Sequence, residues 1–263
     1  MSGVQVACFR SAIAAAAIAL FVPASRRGWT WRTLLVAVAF AATLILFVNA
    51  NKQTTAANSI FLQETALIYI LLIGPVFLHE RLRPLDVITI AVFVGAIGLF
   101  FLDDGEATST AANPTLGNLL SLASGVGWAF TIAGLRWLGK SRGADQAAAS
   151  AVAGNLLAAL ICLPFALPAS TDGGDWLAIA YLGVFQIGLA YALLTRAVQR
   201  IHAVEASLLL MVEPALSPIW AWIVHGEKPG PWAITGGVTI IVGTIVWSLV
   251  DARGAGGAPA PAT

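Results

Sequence analysis

Two glutamates stand where a charged side chain is least expected. Glu64, in NSIFLQETALIYILLIG, and Glu213, in HAVEASLLLMVEPALSPIWAW, each lie about ten residues into a mostly apolar run. At ~1.5 Å per helical residue, that depth is roughly 15 Å from the helix start, the middle of a bilayer. An ionised acid there costs on the order of 3 kcal/mol on insertion scales, and such acids face cavities and mark solute pathways or proton relays. Both are therefore candidate proton acceptors. The competing reading is structural, with each acid protonated or bonded to a neighbouring helix.

Other polar residues join them as candidates for a substrate or proton pathway. Gln63 and Asn58 flank Glu64 on the same helix but point about 100° and 120° away from it, so an interhelical bond competes with a cavity role for each. Arg10 is the one arginine expected inside a span. It either snorkels outward or pairs with an acid or a substrate carboxylate. Gln186 lies mid-span beside Gly183 and Gly188 and near Tyr191, and Trp128 and Trp220 fall inside spans. These are cavity candidates, with packing as the alternative for the tryptophans. Asn49 and Asn51 read as helix caps. Cys8 and Cys162 sit in apolar runs, where cysteine behaves as a small hydrophobe, and no clustered ligands suggest a metal or cofactor.

The elements that must position these groups are membrane helices. The chain has 263 residues, 59% hydrophobic and 10% charged, with a mean hydropathy of +0.85. That is too little charge to cover a water-facing surface. Runs long enough to span occur near 5–22, 30–50, 55–78, 85–102, 115–138, 145–167, 174–195, 203–225 and 231–250. Of the 14 Lys and Arg residues, all but Lys52, Lys228 and Arg10 fall on one side when the loops are counted alternately. That side is expected to be cytoplasmic, with the C-terminus inside. A secretory signal is the lesser reading of the N-terminus, because Arg26 and Arg27 follow the first run as a cytoplasmic loop would. The net charge of +1 gives no reason to expect nucleic acid as a partner. The Gly/Ala/Pro tail at 252–263 is expected to be disordered.

The acid-bearing segment is duplicated. Glu64 matches Glu213, Glu80 matches Glu227 and Gly95 matches Gly243. The helices at 30–50, 55–78 and 85–102 match those at 174–195, 203–225 and 231–250, and 5–22 pairs with 145–167. Equivalent helices are an odd five spans apart, so the halves cross the membrane in opposite directions, as in the inverted repeats of secondary transporters. The span at 115–138 has no partner, and its equivalent is expected before residue 5. Glu80 and Glu227 read as interface turn residues paired with neighbouring cations. Gly95 to Gly98 and Gly236 to Gly243 are expected at close helix contacts, and Pro214 and Pro218 suggest a hinge.

The segments LQETALIYILLIGPVFLHERLRPLD and LLLMVEPALSPIWAWIVHGEKPGPW resemble the paired EamA domains of the drug/metabolite transporter superfamily, over residues 5 to 250. The first copy carries Thr65 where the second has Pro214. The resemblance implies an all-α polytopic fold of two inverted repeats with ten helices, about nine of them in this chain. It also implies an inner (plasma) membrane location and transport of a small-molecule solute. The expected organisation is a first repeat at 1–104, lacking its first helix, and a second at 115–251. The expected function is a secondary transporter working by alternating access in the lipid bilayer, with a homodimer possible and no enzymatic activity. A non-transporting scaffold or truncated inactive carrier is the alternative, ahead of an integral membrane enzyme.

Overall fold

In hydrocarbon every backbone N–H and C=O must find a partner inside the protein, and a helix does this within a single segment. The structure, a computed structural model, describes residues 1–73, 83–102, 111–168, 173–197, 212–226 and 229–256, with the backbone alone at 139–144, 194–197, 215, 218, 225 and 251–256. Among these residues the elements are helical: α1 (Gly3–Phe21), α2 (Trp31–Ala50), α3 (Ala56–Gln63), α4 (Ala66–Ile73), α5 (Pro84–Leu99), α6 (Pro114–Ala166), α7 (Gly173–Tyr181), a π-helical segment (Leu182–Leu189), α8 (Ala190–Ala197), α9 (Val212–His225) and α10 (Pro231–Gly256).

Their starts follow local chemistry. Ser2 caps α1 reciprocally with Gln5, while Thr30, Thr55 and Asn113 each accept a backbone N–H at the start of α2, α3 and α6. Proline opens α5 and α6, where its missing N–H has no intrahelical partner to lose.

Seven helical stretches are long and apolar enough to cross a membrane, and α5 is a shorter apolar helix. The chain is a multi-pass membrane protein, as its composition requires. Of the eighth expected span, at 203–225, the described residues give the second half as α9; residues 198–211 lie outside the described set, as do Glu80, Glu227 and most of the tail.

The spans expected at 115–138 and 145–167 are present as Pro114–Leu138 and Asp145–Ala166, joined by backbone that keeps helical turns through 139–144 while it reverses direction. Gly127 and Gly134 meet Thr43 and Val36 of α2, and Gly154 meets Phe40 of the same stretch. The two arms of α6 are therefore antiparallel neighbours. Gly28 (φ +76°) closes the turn before α2, with a backbone atom of Asp145 3.0 Å from where a β-carbon would sit. A side chain is excluded there by conformation and by space.

Equivalent helices meet in antiparallel register, as an inverted repeat requires. Cys8 Sγ donates to Ala159 O at 3.3 Å, while Ala15 and Ile18 pack on Ala151 and Val152. On the other side of the molecule Phe93 meets Gly243 and Phe100 meets Gly236. The apolar core here joins α3, α4, α5 and α10 through Phe61, Leu62, Ile68, Phe93, Phe100 and Ile240. At one end of the molecule Arg32 lies over the rings of Trp31 and Trp137, with centroids at 5.6 and 5.0 Å. An interfacial aromatic girdle combined with a basic residue has this arrangement.

One expectation needs correction. Gly95 and Gly98 have no described atom within 4 Å of an added β-carbon, so the close contact is made by Gly236, Gly237 and Gly243 alone, each against a phenylalanine ring. The described backbone is helical through Pro214 and Pro218, and the expectation of a hinge there is neither met nor contradicted by it.

The glycines give a paired test. Gly154→Leu, which drives side-chain atoms into Phe40 and Ala37 O, is expected to destabilise the protein by about 1–3 kcal/mol. Gly95→Ala, facing open space in mid-helix, is expected to be neutral or to stabilise by up to about 1 kcal/mol. Thermal unfolding of the purified variants in detergent reads both.

Candidate functional site

The span that carries Glu64 is broken at Glu64. Helix α3 ends at Gln63, residues 64 and 65 form a turn, and α4 begins at Ala66. Through the turn the ladder tightens: Thr65 N–H donates to Leu62 O, Leu67 N–H to Glu64 O and Ile68 N–H to Thr65 O, all three residues back rather than four. Thr65 stabilises the turn from its side chain, with Oγ1 donating to Leu62 O at 2.6 Å. Thr65 therefore occupies the place where the second copy has proline, and the break forms without one.

The first arm of α6 supplies the surroundings. Gly125 lies against the break, and a β-carbon there would fall 3.1 Å from Gln63 O and 3.4 Å from Thr65 Oγ1. From this point a polar seam runs along α3 to its start. Gln63 Nε2 donates to Ser124 Oγ at 3.1 Å, Ser121 Oγ to Ser59 Oγ at 3.3 Å, and both Thr54 Oγ1 and Asn58 Nδ2 to Asn118 Oδ1 at 2.8 and 3.3 Å. Asn118 Nδ2 completes the seam at Phe100 O, 3.2 Å away. Of the two roles open to Gln63 and Asn58, interhelical bonding is the one observed. Asn118, Ser121 and Ser124 were missed by sequence reasoning because they carry no charge, and single hydroxyls and amides are common on helices.

The second half brings Glu213 to the same place. Helix α9 packs on α3, and Glu213 is the charged group whose field bears on Glu64. Glu64 is half-buried, Glu213 is exposed, and Pro214 beside it is buried. The helix that carries Glu213 thus packs against the helix that ends at Glu64. A pair of carboxylates can hold a proton, bind a cationic group or repel an anion.

The remaining candidates are dispersed. Arg10 is buried on α1, and among the described residues no carboxylate pairs with it. Gln186, in the π-helical segment, is exposed, whereas Gly183 and Gly188 in the same segment are buried against α1. Tyr191 donates to Ala147 O at 3.2 Å. Trp128 is half-buried and packs on Phe40, with ring centroids 6.4 Å apart, while Trp220 is exposed. Asn49 and Asn51 bond carbonyls of their own helix. Cys8 and Cys162 are free thiols in one apolar cluster. A groove of about 780 Å³ between α2, α4 and α6 is lined by apolar side chains such as Leu46, Ile73, Val126 and Phe130 and holds none of the acids. Its chemistry suits lipid chains rather than a polar solute.

Comparison with known proteins finds family matches over two overlapping stretches of the chain. Residues 115–249 match the EamA-like transporter family, and residues 6–133 match solute carrier family 35. The chain is 30% identical to an uncharacterized protein of Pseudomonas aeruginosa over 84% of this chain and 75% of that one. It is 25% identical to an uncharacterized transporter of Methanothermobacter thermautotrophicus over 80% of its own length, spanning 61% of the relative's length. A protein of known crystal structure shares the fold with a TM-score of 0.63, at 19% identity over 96% of this chain and 89% of the other.

The seam has a direct test. Asn118→Leu leaves Thr54, Asn58 and Phe100 O without their partner, and each buried polar group stranded in this way costs about 1–3 kcal/mol. The expected result is a clear loss of thermal stability in detergent, larger than that of Ser124→Ala, which removes one acceptor from Gln63.

Proposed function

Because the chain belongs to the EamA-like transporter family, we propose that it is a secondary carrier that moves a small solute across the inner membrane by alternating access, with Glu64 and Glu213 in the pathway. The observation that supports this most is the tightened turn at Glu64, in the span against which the Glu213-bearing helix of the other half packs. Discontinuous helices at the interface of inverted repeats are where carriers form their sites, because the turn releases backbone groups that a solute or ion can engage.

On this reading each residue has a defined task. The two carboxylates repel each other while the site is empty. A cation entering between them, whether a proton or a charged group of the solute, relieves that repulsion and lets the halves rock about it. Thr65 and Gly125 keep the broken helix satisfied without a proline, so the turn can change shape at low cost. Gln63, tied to Ser124, fixes the rim of the site to the first arm of α6. The cytoplasmic C-terminus and the inner-membrane location belong to the same proposal, supported by the side on which Lys and Arg accumulate. No step requires covalent chemistry.

Proteoliposomes loaded with a mixed metabolite pool test the proposal, with flux read by mass spectrometry against protein-free vesicles. At least one solute is expected to cross in the wild type. Glu64→Gln is expected to slow it at least about tenfold, a barrier change of ~1.4 kcal/mol, with expression and melting temperature unchanged. Full flux in that variant would remove the acid from the mechanism. A wild type that moves nothing would favour a scaffold.

A further inference from the structure

Arg10 lies far from the acid pair, and its surroundings pose a separate physical problem. Its residue is only 8% exposed, and Ala7 and Ala14, one turn away on either side of the same helix face, are fully buried. Arg10 Nε has no hydrogen-bond partner, and no ion pair to the side chain is found among the described residues. A buried guanidinium without compensation is strongly unfavourable, and an apolar residue of similar length would remove the cost.

The same level of the molecule holds two further unsatisfied groups. Ser11 Oγ and Asn155 Oδ1, both on fully buried residues, also lack partners. The Asn155 amide nitrogen is already committed to Ala151 O at 2.9 Å. Cys8 meets Ala159, and Ala15 meets Ala151 and Val152, so the register sets Ser11 opposite Asn155. Among the described residues, three of the five buried polar atoms without a partner therefore lie at one level of α1, with Ser11 about 100° round the helix from Arg10. On the other side α1 is pressed against the π-helical segment, with Arg10 O 3.0 Å from where a β-carbon on Gly183 would sit. Departures from α-helix of this kind recur at functional sites.

We infer that Arg10, Ser11 and Asn155 form a binding site for the oxyanion of a small solute, a carboxylate or a phosphate. The planar guanidinium fork matches such a group with two parallel bonds. The Ser11 hydroxyl supplies a further donor. Asn155 offers only an acceptor, which suits a water or a donor carried on the solute rather than the oxyanion itself. The assignment to a transported solute rests on the carrier reading, whereas the binding site itself does not.

Thermal unfolding in phospholipid-free detergent tests it. The purified chain is titrated with sodium acetate, benzoate or phosphate against sodium chloride of equal ionic strength. At least one oxyanion is expected to raise the melting temperature saturably, by about 5 °C near a hundred times its Kd, while chloride does not. Arg10→Met should lose this rise and, without oxyanion, melt at or above the wild type. Arg10→Lys should keep a weakened rise, and Glu64→Gln should keep it in full, which separates this site from the acid pair whatever the flux experiment returns. The inference is overturned if no oxyanion stabilises the wild type, if the rise survives Arg10→Met, or if Arg10→Met melts well below the wild type. An Arg10-dependent rise produced only by a short-chain anionic phospholipid would likewise overturn the solute assignment in favour of a headgroup.

Discussion

Lipid cannot hydrogen-bond, so a helix that breaks inside a membrane must find every lost partner within the protein. The turn at Glu64 and Thr65 is where this constraint is felt most, and much of the first half is arranged around it. Thr65 returns a hydrogen bond to Leu62 O, Gly125 lets the first arm of α6 approach the carbonyls that leave the ladder, and Gln63 crosses to Ser124. A proline would have forced the same break but would have offered no donor in return. Threonine breaks the helix more gently and satisfies what it releases.

The seam beyond the turn follows from the same constraint. Thr54, Asn58, Ser59 and Gln63 lie on the face of α3 that meets α6, and each finds its partner on Asn118, Ser121 or Ser124. The opposite face of α3 presents Phe61 to an apolar core shared with α5 and α10. One short helix thus divides a polar contact from an apolar one, and Glu64 stands at the end where the two meet. Small residues make the polar side possible. Gly117 sits against Thr54 and Gly125 against the turn, so hydroxyls and amides reach across at hydrogen-bond distance.

Legibility in the sequence tracked free-energy cost. An acid deep in an apolar run is costly enough to be conspicuous, so Glu64 and Glu213 could be singled out and paired across the repeat. The antiparallel meeting of Phe93 with Gly243 was implicit in the odd count of spans between equivalent helices. The location of the break was not legible, because proline is the familiar signal for one and Pro214 and Pro218 drew attention to the other copy. Gly95 misled for a related reason: a glycine permits close approach, but only a neighbour produces it, and among the described residues none stands within 4 Å. Orphaned atoms such as Arg10 Nε and Asn155 Oδ1 belong to packing alone and leave no trace in a sequence.

The repeat is symmetric in topology and unequal in chemistry, and the inequality bears on how a carrier of this kind would work. Glu64 is half-buried in a broken helix tied to α6, whereas Glu213 is exposed on a helix that is continuous through its prolines. Two identical carboxylates in identical settings would respond alike to an entering cation and give the cycle no order. Here one acid is exposed on its helix, and the half-buried one sits on a turn tied to α6. On the carrier reading, Glu213 meets the cation first and Glu64 couples its binding to the movement of the halves, because only Glu64 is attached to a segment that can bend without leaving a backbone group unsatisfied.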